Sequence, residues 1–123
     1  MADFPSSTEL VDFDELKEEY EEDLDILGTT IEGVIKGARE LLTELEAAVQ
    51  AKDAAQTKFK AHTLKGVLSN VFALSVPELL ARLEQFKEID GEAESLLAEV
   101  KTKSEGVLAE LTDFMSKNPD LAA

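Results

Sequence analysis

The chain has 123 residues, 44% of them hydrophobic, and a formal net charge of −15. It is therefore sized for one domain, can bury a core, and as a polyanion is poorly matched to nucleic acid or to an anionic membrane. It contains no cysteine and a single histidine, which removes disulfide frameworks, thiolate metal sites and, for want of ligands, zinc sites.

The first residues lack the basic start and apolar run of a secretory signal, and no apolar stretch reaches membrane-spanning length, so the sequence reads as soluble and cytoplasmic. Residues 1–10 are polar and contain proline and serine, which predicts a flexible N-terminal arm. From Val11 to Glu22 the chain is very acidic, with Val11, Phe13, Leu16 and Tyr20 as inward contacts of a short helix capping one end of the fold. Asp12 and Asp14 begin like a calcium loop, but the glycine and closing glutamate are missing from the required positions. Solvated charge is the reading that remains.

Leu27, Ile31, Val34, Ala38, Leu41, Leu42 and Leu45 recur at three- and four-residue steps and predict a long helix from Leu24 to Gln50. Gly28, Gly33 and Gly37 lie inside it, each costing about 1 kcal/mol relative to alanine. Gly33 and Gly37 fall one turn apart beside the core stripe, where they offer a face for close approach of another helix or a partner. The alternatives are simple tolerance, or a break at Gly28. Asp53 is placed to cap a helix from Ala54 to Val71. Ser75, with Glu78 three residues later, has the pattern of a capping box opening a helix to Glu88. Asp90-Gly91 then turns the chain into a last helix, Glu92 to Ser116, whose apolar positions include Leu97, Leu108, Leu111 and Met115, and which Asn118-Pro119 stops. No strand-like alternation appears. Four sizeable helices joined by short loops predict an all-α, up-and-down antiparallel four-helix bundle over residues 11–117, with a short N-terminal capping helix and a C-terminal tail at 118–123.

The lone histidine, His62, sits in the helix from Ala54. At about 100° per residue, Ala61, Leu64, Val67, Leu68, Val71 and Phe72 form one apolar stripe, and His62 lies roughly 140° from its centre. The imidazole, a nucleophile whose unperturbed charge changes near neutral pH, is therefore expected to point outward. Its neighbours on that face are Ala55, Lys58, Phe59, Lys65, Gly66 and Ser69. Small flanks admit another molecule, and Lys65 can lie beside an anion carried on the ring. Phe59 is either a buried edge residue or, the reading favoured here, an exposed partner contact. Between residues 52 and 65, Lys52, Lys58, Lys60 and Lys65 stand against Asp53 alone, a positive island in an acidic chain suited to an acidic pocket.

Ala61-His62-Thr63-Leu64-Lys65-Gly66 resembles the signature of the histidine-containing phosphotransfer (HPt) domain family, the phosphoryl carriers of multistep two-component relays. Ser69 and Asn70, Ala73, Leu79 and Leu83-Glu84 continue the match, so the aligned region runs from Phe59 to Glu84. The resemblance implies the same four-helix bundle. It also implies that His62 takes a phosphoryl group from a receiver-domain aspartate and passes it to another receiver, with Gly66 leaving room for that group. In the family the side chain at the Glu84 position can reach the second imidazole nitrogen, which would leave Nε2 as the nucleophile; an ordinary exposed glutamate is the other reading. The implied partner is a response-regulator receiver domain or the receiver of a hybrid histidine kinase, which would bring the magnesium ion. No cofactor of the chain's own, no independent kinase or hydrolase activity, and a monomeric state are expected. The chain departs from the family at Val67 and Leu68, where small residues are usual, and at Phe72, where glycine is usual. A helical adaptor that binds a protein without carrying phosphate is the alternative function. A self-sufficient hydrolase lacks a Ser/His/Asp or Cys/His set.

Overall fold

The computed structural model describes residues 2–122. Asp12 accepts a hydrogen bond from the Glu15 amide at 3.1 Å and so caps the first helix, α1 (Phe13–Tyr20), shorter than the acidic run suggested. The helix α2 (Leu24–Gln50) has the bounds that its periodicity predicts. Asp53 accepts from the Gln56 amide at 3.0 Å and opens α3 (Ala54–Ser69). The helices α4 (Val76–Leu83) and α5 (Gly91–Lys117) follow, and a 3₁₀ turn, Pro119–Leu121, ends the chain's regular structure.

Each of α2 to α5 packs on its neighbour in sequence, and α5 closes back on α2. Among the described residues α3 and α5 make no packed pair, nor do α2 and α4, so these stand diagonally across an up-and-down bundle. The interior is filled by Leu27, Ile31 and Leu45 of α2, Leu64 and Leu68 of α3, Leu80 and Leu83 of α4, and Leu111 of α5, all essentially inaccessible to solvent. Two hydroxyls, on Thr57 and Ser104, lie in this apolar interior with no hydrogen-bond partner among the described residues.

Several expectations change. Ser75 does not form a capping box: its φ is +70°, its side chain makes no cap bond, and its hydroxyl instead donates to the Glu9 carbonyl at 3.5 Å. The helix it precedes ends at Leu83 rather than Glu88, because the bonds Gln85 N–H to Arg82 O and Phe86 N–H to Leu83 O tighten the last turn. Asp90 is not a turn residue but the cap of α5, accepting from the amides of Glu92 and Ala93 at 3.1 Å each. Phe114 occupies the buried position assigned to Met115, which is half-buried.

Residues 2–10, expected as a flexible arm, run along α5. The Phe4 ring lies 5.1 Å from that of Phe114, and Thr8 Oγ1 donates to Glu110 at 2.6 Å. The Asp3 amide donates to Asn118 Oδ1 at 2.7 Å, while Asn118 Nδ2 donates back to the Asp3 carbonyl and to that of Phe114. The tail is packed as well: Leu121 is buried against α2, and a Cβ on Gly28 would collide with the Leu121 carbonyl oxygen. Gly28 is thus neither a break nor a tolerated defect, but the point of close backbone approach. Gly33 and Gly37 carry no such contact: among the described residues nothing lies within 4 Å of a Cβ at either.

Candidate functional site

The outer face of α3 is bare because its two packed neighbours, α2 and α4, take the other faces. Ala61 and Leu64 point into the core at 0% exposure, which by helical phase turns His62 outward; its side chain is 69% exposed. The fold brings one more residue of the set to the ring. Glu84 is the C-cap residue of α4, and its Oε1 lies 3.1 Å from His62 Nδ1. Its carboxylate is not the ordinary exposed one, being only 9% exposed.

Lys65, one turn after His62, joins from the other side, its Nζ 2.7 Å from Glu84 Oε2. At that distance the ammonium and the carboxylate oxygen form a close ion pair. Burial pushes the Glu84 carboxyl toward protonation, but the contacts from Lys65 and His62 outweigh it and hold the group below the ordinary glutamate value. An ionised carboxylate can only accept, so the Nδ1 it faces is the donor of this pair, and Nε2 lies on the far side of the ring from Glu84.

The other expected residues fall in three places. Gly66 is exposed, with open space where a Cβ would stand. Ala55 and Lys58 are exposed on the same helix, and Phe59 is a surface residue, 58% exposed, with the Lys60 ammonium 5.3 Å from its ring centre. Ser69 is exposed but turned into its own helix, donating to the Lys65 carbonyl at 2.8 Å. Gly33 and Gly37 belong to α2 and are not gathered at the ring by any contact.

The positive island is partly discharged. Lys60 pairs with Glu44 of α2 and Lys65 with Glu84 of α4, leaving Lys52 and Lys58 with no ion pair among the described residues. Sequence reasoning missed both neutralising pairs, since cross-helix partners carry no fixed spacing. Phe72, at a position where glycine is usual in the resembled family, has a φ of +56°, the left-handed conformation that favours glycine. Among the described residues no group of His, Cys, Asp and Glu is arranged to hold a metal ion, and no helix is long and apolar enough to cross a membrane.

An outward histidine on the second long helix of an up-and-down bundle, backed by a carboxylate from the next helix, defines a class of small helical domains that present one imidazole to a partner. The Hpt domain family matches residues 13–116, and the chain belongs to it: it is a histidine phosphotransfer protein of phosphorelays. The fold is similar to that in the crystal structure of histidine-containing phosphotransfer protein B (HptB) from Pseudomonas aeruginosa PAO1, with a TM-score of 0.76 and 23% identity over 87% of this chain and 95% of that one. No curated protein gives a significant match.

Proposed function

We propose that His62 is the phosphorylated residue and that Nε2 is the atom which accepts the phosphoryl group from a receiver-domain aspartate and returns it to another. The observation that supports this is the Nδ1–Glu84 hydrogen bond at 3.1 Å on a ring whose side chain is 69% exposed. One nitrogen is held and protonated, and the other is a free lone pair facing solvent. Gly66 leaves space beside the ring for the incoming group. Exposed Phe59, Ala55 and Lys58 extend the same face and supply an apolar and cationic rim for the acidic pocket of a receiver.

In this reading the chain is a carrier without kinase or hydrolase activity of its own, acts as a monomer in the cytoplasm, and takes no cofactor. The magnesium ion of the transfer sits on the receiver. Positioning and charge neutralisation supply most of the rate. The test is to mix the purified chain with phosphorylated receivers, singly, and to look for acid-labile phosphate on the chain. Transfer to the native protein and none to His62→Gln is the expected result. A stable complex with a receiver and no phosphate on His62 would instead indicate a helical adaptor.

A further inference from the structure

The N-terminal segment does more than cover α5: it builds one wall of a cavity. Pro5 restricts Phe4 to extended backbone, which lays the segment flat along the helix. The Asp3 main chain is hydrogen-bonded in both directions to the Asn118 side chain, which fixes Phe4 beside Phe114. Between this segment, the start of α1 and the last turns of α5 lies a cavity of about 240 Å³, open to solvent on one side. Phe13 and Phe114, each 2% exposed, form its floor, and half-buried Phe4 stands against them. The ring centres are 5.1 Å apart from Phe4 to Phe114 and 5.8 Å from Phe114 to Phe13, so three aromatic rings are clustered at one spot.

The rim of this cavity is acidic: Asp3, Glu110 and Asp113 stand against Lys117 alone, a net charge of −2. Asp113 and Lys117 are 3.0 Å apart one helical turn from each other and cancel; the pair is well exposed and weakly held, so the lysine can turn outward. The other two carboxylates, of Asp3 and Glu110, have no ion pair among the described residues, and Glu110 has only the Thr8 hydroxyl as a donor. Two attractions therefore select the same guest. The ring faces draw a cation that comes within about 6 Å of a ring centre, and the two unpaired carboxylates draw it as well. An anion is opposed by both, and a neutral apolar molecule has only the floor.

We propose that this cavity binds a small organic cation, an arylalkylammonium or similar compound, with its apolar body on Phe4, Phe13 and Phe114 and its ammonium group at Asp3 and Glu110. The volume lies below the roughly 300–1,000 Å³ of pockets for drug-sized ligands, which limits the guest to about ten non-hydrogen atoms. The site is separate from the His62 face. Helix α5 stands diagonally across the bundle from α3, so the guest and a partner at His62 do not compete, and the cavity binds whether or not His62 carries phosphate. Because its walls come from both the N-terminal segment and α5, the guest fastens one to the other.

The test uses the full chain labelled with ¹⁵N and 2-phenylethylammonium chloride as the probe, titrated at fixed pH and ionic strength. A chain of net charge −15 gathers cations over its whole surface, so the readout is where the amide shifts fall and whether they saturate. Saturable shifts confined to residues 3–13 and 110–118 are expected, with a millimolar dissociation constant. The neutral analogue 2-phenylethanol should shift the same amides with about fivefold lower affinity, and phenylacetate should shift none of them. In the double variant Asp3→Asn/Glu110→Gln, which keeps the aromatic floor and an acceptor for Thr8, the ammonium compound should fall to the affinity of the alcohol. Phe4→Ala should weaken both compounds. Shifts that grow without saturation or are as large over residues 18–25, equal affinity for amine and alcohol, or native affinity in either variant would each overturn the proposal.

Discussion

Gly66 separates the demands of the fold from those of the site, because substitution there should move them in opposite directions. It sits in the interior of α3, exposed, with nothing within 4 Å of an added Cβ. A glycine in a helix interior costs about 0.8–1 kcal/mol relative to alanine, and leucine is nearly as good a helix former as alanine. At about 2.1 cal mol⁻¹ K⁻¹ per residue, 123 residues have an unfolding entropy of about 0.26 kcal mol⁻¹ K⁻¹, so Gly66→Ala and Gly66→Leu should each raise Tm by about 3 °C. Helical side chains lean toward the N-terminus and onto the residue four positions earlier, which here is His62. The isobutyl group of Gly66→Leu would then lie over the ring and displace the phosphoryl group from an in-line approach, with a loss of about 100-fold in loading rate. Gly66→Ala, one methyl group against open space, should lose much less. Calorimetry gives the first quantity and loading by a phosphorylated receiver the second. Loading of Gly66→Leu at the native rate, or a fall in Tm for Gly66→Ala, would refute the argument that this glycine is kept for access.

Gly28→Ala should destabilise the chain by about 1–2 kcal/mol in urea unfolding, because the new methyl group displaces the turn at Leu121 and re-exposes its side chain. In a chain ending at Asn118 the same substitution should become stabilising by about 1 kcal/mol through helix propensity, and an unchanged sign would rule out the clash as the cause. Thr57→Val, which replaces a buried hydroxyl lacking a partner by a group of similar shape, should raise Tm by about 4 °C; a drop would mean that the hydroxyl is bonded after all. The Glu84 carboxyl, raised by burial but lowered more by Lys65 and His62, ends below its ordinary value of 4.5. Its ionised form therefore favours the fold above the unfolded value, and that contribution disappears as the pH falls through the lower folded value. The stability gap between the native chain and Glu84→Gln should accordingly shrink between pH 5 and 3; a gap that does not fall over that range would count against the ion pair.

What could be read from the sequence is what depends on local period and on pairs of residues a few positions apart. The bounds of α2, the Asp53 cap and the outward aim of His62 all follow from 3.6-residue geometry and nearby side chains. What could not be read depends on segments far apart in the chain. The Ser75-Glu78 pattern is that of a capping box, yet a tertiary contact decides otherwise: the chain at Leu74 is tied to Leu10, and Ser75 is turned to a positive φ with its hydroxyl toward Glu9. Gly28 was ambiguous because its partner, Leu121, lies more than ninety residues away. The lysine island looked more positive than it is because Glu44 and Glu84, which offset two of its members, lie outside the window.

The site depends on such a long-range tie. His62 comes from α3 and Glu84 from the end of α4, so a 3.1 Å contact between them requires the two helices to keep one register. Their connection, residues 70–75, contains two non-glycine residues at positive φ, Phe72 and Ser75, each costing on the order of 1 kcal/mol and offering the chain little reason to hold that shape by itself. The shape is fixed from outside. The antiparallel bridge between Val11 and Ala73, made by Asp12 N–H to Phe72 O at 3.0 Å and Leu74 N–H to Leu10 O at 2.8 Å, lays the N-terminal segment across the connection. Val11 and Ala73 are both buried there, at 0% and 8% exposure, so the hydrogen bonds are shielded from competing water. The segment before the first helix thus acts on the His62 face from a distance: it sets the turn that sets α4, and α4 delivers the carboxylate to the ring.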